Sequence, residues 1–220
     1  IVANAEAKEL AEKGFLISSC CPAFVDYIEK QFPNLVNKMS HNLSPMATIA
    51  KYIKETTPDA KIVFIGPCTA KKTEFQKASV NPYIDSVITF EELQALFDGK
   101  DLDITTLKDD VLDNASYYGR IFARSGGLAD AIAQGLKENN INDFEYNPIS
   151  CNGIEESKIA LLKASKGVLN ANFIEGMVCI GGCIGGAGCL THGKKNSSEV
   201  DKYGMEAYEK TIADAISVLK

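Results

Sequence analysis

Histidine is scarce in this chain, with two in 220 residues, so a zinc site built on imidazoles is disfavoured. No long run of lysine or arginine occurs, and the formal net charge is -6, so nucleic acid is not an expected partner. Nor is there a stretch of about 18 uninterrupted apolar residues, so no membrane span is predicted. The opening Ile1-Val-Ala-Asn-Ala-Glu6 lacks the basic lead and apolar core of a signal peptide. It starts on Ile1, not Met, which predicts that the sequence is part of a longer product. Internal repeats, linkers and low-complexity tracts are also missing. Seven cysteines is an odd count in a chain of this length, which argues against a secreted disulfide scaffold. Metal binding or catalysis in a reducing, cytoplasmic compartment fits better.

What is present is a globular composition, 45% hydrophobic and 24% charged, enough for one large or two small domains. The densest feature runs from Phe173 to Cys189, where Cys179, Cys183 and Cys189 stand among glycines. Glycine between thiols permits positive φ and a close approach of backbone to a bulky inorganic group. Thiolate quartets hold iron–sulfur clusters. The alternative for this stretch alone is a strand and turn of small residues, because a free cysteine often serves as a small core residue.

Along the chain, strong helix formers over Glu6–Lys13 predict a helix stopped by Gly14. It carries Glu6 and Glu9 three apart on one face. Phe15–Ser19 reads as a buried strand leading into Ser19-Cys-Cys-Pro22, with a helix bearing Phe24, Tyr27, Ile28 and Phe32 behind Pro22 and ending near Pro33. Cys21 therefore falls at a strand-to-helix turn, where backbone N–H groups favour a thiolate. Leu35–Lys54 reads as a loop, then a helix after Ser44-Pro45. Ala60–Pro67 is a second buried strand ending at Cys68, with Lys71 and Lys72 close behind. Ligands in α/β sheets gather at the carboxyl ends of strands. Asp85–Thr89 predicts a third strand, with Thr89 capping the helix that follows. Residues 98–113 are polar, a surface loop or a closing helix, and 117–127 reads as irregular around a Ser125-Gly-Gly turn. Further elements are expected at Leu128–Leu136 (helix), Phe144–Cys151 (strand), Glu155–Ala164 (helix) and Asn172–Val178 (strand). Cys151 is read as a structural thiol. Lys194–Asp201 reads as polar and exposed, and Glu206–Leu219 as an amphipathic helix with Ile212, Ala215, Ile216 and Leu219 inward. Alternating strands and helices predict an α/β fold.

Three segments, Ile17-Ser-Ser-Cys-Cys-Pro-Ala-Phe24, Ile65-Gly-Pro-Cys-Thr-Ala-Lys-Lys-Thr-Glu74 and Phe173-Ile-Glu-Gly-Met-Val-Cys-Ile-Gly-Gly-Cys183, resemble the three signature motifs of the [FeFe]-hydrogenases, in the same order. The segment Gly119–Gly127 is also similar to that family, and the resemblance runs over nearly the whole chain. It implies a two-lobed α/β catalytic domain over residues 1–220, incomplete at its N-terminal side. Sheets flanked by helices would have the cluster site between the lobes and a lobe boundary near residues 115–125. It further implies an H-cluster, a [4Fe–4S] cubane joined through one thiolate to a two-iron unit with CO, cyanide and a bridging dithiolamine. Cys21, Cys68, Cys179 and Cys183 would hold the cubane, with Cys183 shared. Lys71 matches the lysine that hydrogen-bonds a cyanide, Met177 the methionine beside the two-iron unit, and Cys20 the thiol that passes protons to the bridging amine. Glu9, Glu6 and Ser40 match the outer proton route, given a gap between Glu9 and Cys20. A relay needs groups that both donate and accept, and thiol, hydroxyl and carboxyl all qualify.

Departures from the motifs are Gly66 for a usual Met, expected to widen the space beside the cluster, Cys189 for a usual Gln, and Val178 for a common Ala. The sequence also starts after the strand and loop that open the family's catalytic domain and after its N-terminal ferredoxin-like domains. Gly66 and Cys189 are similar to divergent, sensory branches. Three functions follow from the resemblance: an anaerobic oxidoreductase interconverting 2 H⁺ + 2 e⁻ and H₂, an H₂ or redox sensor with slow turnover, or a scaffold holding only a cubane. Lys71 and Cys20 argue against the third, since a bare cubane needs neither. Expected partners are a ferredoxin-like electron carrier or fused iron–sulfur or sensor domains, together with maturation proteins. Without those proteins the chain is expected to hold at most the cubane.

Overall fold

The computed structural model describes residues 1–108, 110, 115–217 and 219. Two parallel sheets organise it. The first has strand order β1-β5-β4, from β1 (Leu16–Ile17), β4 (Pro148–Asn152) and β5 (Phe173–Met177), and the second pairs β2 (Val63–Gly66) with β3 (Ser86–Thr89). Parallel pairing is set by register, Leu16 against Phe173, Pro148 against Phe173 and Val63 against Ser86. The chain supplies the first sheet from both of its ends and visits the second sheet in between.

The central strand β5 is buried at every position, and its alternation assigns its two faces. Phe173 and Met177 pack with Leu10 of α1 (Val2–Lys13) and with Leu128 and Ile132 of α7 (Gly127–Glu138). Ile174 points the other way, onto Phe24 and Ile28 of α2 (Pro22–Gln31) and Leu161 of α8 (Ile154–Ser165). Period-two side chains on a strand covered by helices on both faces produce this pattern. Full burial of a side chain such as Phe24 contributes about 1.5–3 kcal/mol. Glycine is required at position 176, because a Cβ there would lie 2.1 Å from the Phe24 ring.

Local signals behaved as their chemistry requires at several ends. Gly14 ends α1 in the left-handed region at φ 73°. The Ser44 hydroxyl caps α3 (Pro45–Thr56) by accepting from the Ala47 N–H, and Thr89 forms a capping box with Glu92 at the start of α5 (Phe90–Asp98). Beneath the second sheet, Met46, Ala47 and Ala50 of α3 pack with Val80, Ile84 and Val87.

Several expectations are corrected. Residues 33–38 form a 3₁₀ turn, not loop, since Pro33 suits the first position of a helix. The 117–127 segment contains α6 (Tyr117–Ile121), capped by the Ser116 hydroxyl. Residues 195–201, read as polar and exposed, lie in α9 (Lys195–Met205) with Lys194 as its N-cap, and the helix packs closely at Gly204 against Ile121 and Tyr117. The final helix α10 spans only Ile212–Ser217. Ile212 is buried, while Ala215 and Ile216 are half-buried. Part of the expected helix, at 218, lies outside the described residues. After Asp98 the chain makes a 3₁₀ turn over Ile104–Thr106, and positions 109 and 111–113 of that polar stretch lie outside the description. Strand β2 is not buried throughout, since Val63 is 50% and Ile65 43% exposed. Nor does Gly66 open a space: a Cβ there would meet the Phe64 ring at 2.7 Å, so that ring already occupies the volume. No helix among the described residues is long and apolar enough to cross a membrane.

Candidate functional site

Three chain turns bring four thiols near enough for Cys21 and Cys68 to raise the titration of Cys179 and Cys183. Cys21 is the N-cap of α2, with Pro22 in the first helical position. Cys68 follows Pro67 at the end of β2, and Cys179 and Cys183 follow β5. All three strands deliver their cysteines at carboxyl ends, where parallel sheets place ligands. Burial raises the Cys21 thiol, the N–H groups of Val178 and Phe24 hold it back, Cys68 adds to the rise and Lys71 opposes it. Burial likewise pushes Cys183 up to about 12, reinforced by Cys21 and Cys68 and opposed by Lys71. Cys179 is raised by burial and then by Cys21 and Cys68. Yet among the described residues no three His, Cys, Asp or Glu side chains close around one point as a single metal ion requires.

The loop between Cys179 and Cys183 is shaped by its glycines. Gly182 adopts φ 86°, and a Cβ there would come within 2.6 Å of the Ser125 backbone nitrogen. That closeness lets the Ser125 N–H donate to the Gly181 carbonyl, at 3.0 Å. The Gly188 N–H donates to the Pro67 carbonyl at 2.9 Å, tying the third cysteine segment to the second.

Around the thiols stand the other expected residues. Lys71 is buried in α4 (Lys71–Glu74) and ion-paired with Glu74 at 2.6 Å. It also donates at 3.5 Å to the Cys20 carbonyl. Cys20 is buried, with its thiol raised first by burial and then by Glu6. Met177 closes β5 and is 2% exposed. Glu9 lies at the outer edge. Burial would raise its carboxyl, but hydrogen bonds from Lys13, Ser40 and the His41 N–H together bring it below the ordinary value. The Ser40 hydroxyl donates to Glu9 at 2.8 Å. Glu6, one turn earlier on α1, is fully buried, and neither of its oxygens has a hydrogen-bond partner among the described residues. Burial therefore raises it to about 8; the nearby Ser40 hydroxyl and Ser19 N–H temper the rise without reaching bonding geometry.

Buried neutral Glu6 has a stability consequence. The unfolded chain releases this proton near the ordinary value of 4.5, the folded chain only near 8. Stability is thus lost as pH rises between those values, with a slope of at most about 1.4 kcal/mol per pH unit from this group. Glu6→Gln is expected to remove that loss, so urea midpoints at about pH 5 and about pH 8 should differ less in the variant than in the parent chain. Parallel pH profiles in the two would contradict the assignment.

Three residues of the site were not picked out from sequence. Glu74 is three residues after Lys71, a spacing that puts both on one helical face. Glu175 is a charged residue inside an apolar strand. Its oxygens accept from the Gly126 and Ala129 N–H groups and the Ser150 hydroxyl, so it caps α7 from the sheet. Asn42 carried no local signal; it donates to Glu9 at 2.8 Å and to Ser40 at 3.0 Å. Cys189 is buried and its thiol donates to the Ile184 carbonyl at 3.4 Å. Cys151 sits on β4 in the core with Phe24 and Ile174, and burial pushes it up to about 12.

An α/β protein that gathers thiols at the carboxyl ends of parallel strands is the class these features define. The chain belongs to the family described as iron only hydrogenase large subunit, C-terminal domain, which matches residues 1–187. It is 31% identical to iron hydrogenase 1 of Clostridium pasteurianum, over 84% of this chain and 40% of that protein. It is also 30% identical to the cytosolic Fe-S cluster assembly factor NAR1 of Saccharomyces cerevisiae, over 55% of this chain and 26% of that protein. The chain thus spans about 40% of the length of the first of these relatives. Among solved structures, an apo [FeFe]-hydrogenase from Chlamydomonas reinhardtii superposes with a TM-score of 0.65 at 20% identity, covering 95% of this chain and 73% of the other. Another [FeFe]-hydrogenase reaches 0.70 at 19% identity, over 98% of this chain and 76% of the other.

Proposed function

We propose that this chain forms the cluster-holding part of an iron-only hydrogenase site, with Cys21, Cys68, Cys179 and Cys183 as ligands of a [4Fe–4S] cubane. Cys183 would be shared with a two-iron unit carrying CO, cyanide and a bridging dithiolamine. The supporting observation is the mutual electrostatic contact of four thiols delivered by three separate turns. A cubane takes one thiolate per iron corner, so it asks for neighbouring sulfurs rather than three ligands closing on one point, which the described residues do not form. Loading requires the thiols to lose their protons, against the rise at Cys21, Cys179 and Cys183, and the positive metal charge drives this. When bound, the combined cluster supplies the electron storage for interconverting 2 H⁺ + 2 e⁻ and H₂.

The chain's own residues would do the rest. Lys71, held by Glu74, would present an ammonium to anionic ligands of the two-iron unit. Met177 would pack beside it and exclude water. Cys20 would hold and pass a proton at its sulfur. Glu6, Ser40 and Glu9 would carry protons between Cys20 and the surface. Electrons would come from a ferredoxin-like carrier or from fused iron–sulfur domains, and maturation proteins would deliver the two-iron unit. A cytoplasmic, oxygen-poor setting suits such chemistry.

The likeness to an assembly factor favours a second reading, a scaffold holding only the cubane, and sensing with slow turnover stays within the first. The buried Lys71 charge separates the two main readings, because a cubane alone gives no reason to bury an ammonium there. The test is infrared spectroscopy after anaerobic cubane reconstitution and loading with a synthetic two-iron complex. Protein-bound CO and cyanide bands are expected. A cubane with no such bands would favour the scaffold.

A further inference from the structure

The proton route proposed above is interrupted in this structure, and the interruption has a specific cause. A hydroxyl has one proton to donate and two lone pairs to accept with. Ser40 uses all three. Its proton goes to Glu9 Oε2 at 2.8 Å, and its lone pairs take the Asn42 backbone N–H at 3.2 Å and the Asn42 side-chain amide at 3.0 Å. The same amide also donates to Glu9 Oε2 at 2.8 Å, and the Ser19 hydroxyl holds the Asn42 carbonyl at 2.9 Å. Nothing is left on Ser40 for Glu6, whose two buried oxygens stand without a hydrogen-bond partner among the described residues.

We infer that Asn42 is a positioning residue that latches Ser40 onto Glu9 and so holds the inner carboxyl, Glu6, out of the relay. The inference rests on the proton-route reading of Glu6, Ser40 and Glu9. The transfer it blocks is simple. The Glu6 carboxylic O–H breaks as its proton bonds to Ser40 Oγ, while the Ser40 proton passes to a Glu9 carboxylate oxygen. Charge and atoms balance, with Glu6 left as carboxylate and Glu9 as acid. For this Ser40 needs one vacant lone pair, and the Asn42 amide fills it. Removing the amide vacates that lone pair, and neutral Glu6 can then donate to it. Such a bond favours the protonated form. Glu9 from its own helix, Glu175 from β5, and Cys20 and Tyr146 from the adjoining turn and loop are the ionisable groups that face Glu6. None of them is substituted in the variant; Glu9 alone loses a bond, that of the Asn42 amide, and keeps those of Lys13, Ser40 and the His41 N–H.

The test uses the whole chain without cluster. The infrared carbonyl band of protonated Glu6 is followed through a pH titration and assigned by its loss in Glu6→Gln. In Asn42→Ala the band is expected to move to lower frequency, as a newly hydrogen-bonded acid does. Its titration midpoint should rise by up to about one pH unit, the worth of one net hydrogen bond. Ser40→Ala alone should leave the band frequency where the parent chain has it, because Ser40 does not bond Glu6 there, and should not lower the midpoint, because the Ser40 hydroxyl only tempers the Glu6 rise. The double variant should return to that parental position. An unmoved band in Asn42→Ala, or a band that moves in Ser40→Ala, overturns the latch. Since no iron is needed for this readout, its failure leaves the cluster assignment standing, and a chain that takes up no cluster still reports on the latch.

Discussion

Cys68→Ala is expected to abolish cubane assembly in the reconstituted chain, while Cys151→Ser keeps it. Iron and acid-labile sulfide, counted per chain after anaerobic reconstitution, give the measurement. Loss of even an outer-shell partner typically lowers metal affinity about 10–100-fold, so loss of a ligand thiolate should exceed that. Cys68 gives a sharper result than Cys179, because Cys189 lies near enough to influence the Cys179 thiol and offers a replacement sulfur. Cys151 serves as the comparison, since it lies in the core with Phe24 and Ile174 and its thiol is raised by burial, Glu156 and Glu175 rather than by other thiols. Full cluster content in Cys68→Ala would falsify the four-ligand assignment.

The second large effect belongs to Cys20. In the matured protein, Cys20→Ala is expected to lower H₂ evolution by at least about a hundredfold, within the usual worth of a positioned proton donor. The cubane's electron paramagnetic resonance signal should persist, because the sulfur that holds iron is the neighbouring Cys21. The two side chains differ in burial: Cys20 is a buried member of the cluster of Leu10, Phe173 and Met177, whereas Cys21 is half-buried at the edge of that cluster and caps α2. Ordinary turnover in Cys20→Ala with a full cluster would remove Cys20 from the proton path and leave the iron ligands untouched.

Much of the fold was legible locally. Capping at Gly14, Ser44 and Thr89, the prolines after Cys21 and Ser44, and the apolar runs at β1, β3 and β5 follow from short-range chemistry that a sequence displays. The misreadings share a cause. The 117–121 stretch, read as irregular, becomes helical because a partner, here Gly204 of α9 against Ile121 and Tyr117, stabilises it across the chain. Gly66 suggested a vacancy because the sequence does not reveal that the Phe64 ring folds back onto it.

The cysteine turns were written into the chain by residue type alone: strand-ending thiols, a helix-starting proline behind Cys21, and glycines that let a loop bend through positive φ. Which way Ser40 turns, what steadies Lys71, and how Glu175 reaches the start of α7 were settled by folding. Those contacts join side chains far apart in sequence, or choose among several nearby partners. A hydrogen bond has direction and limited capacity, so three-dimensional placement alone selects which partner each group keeps.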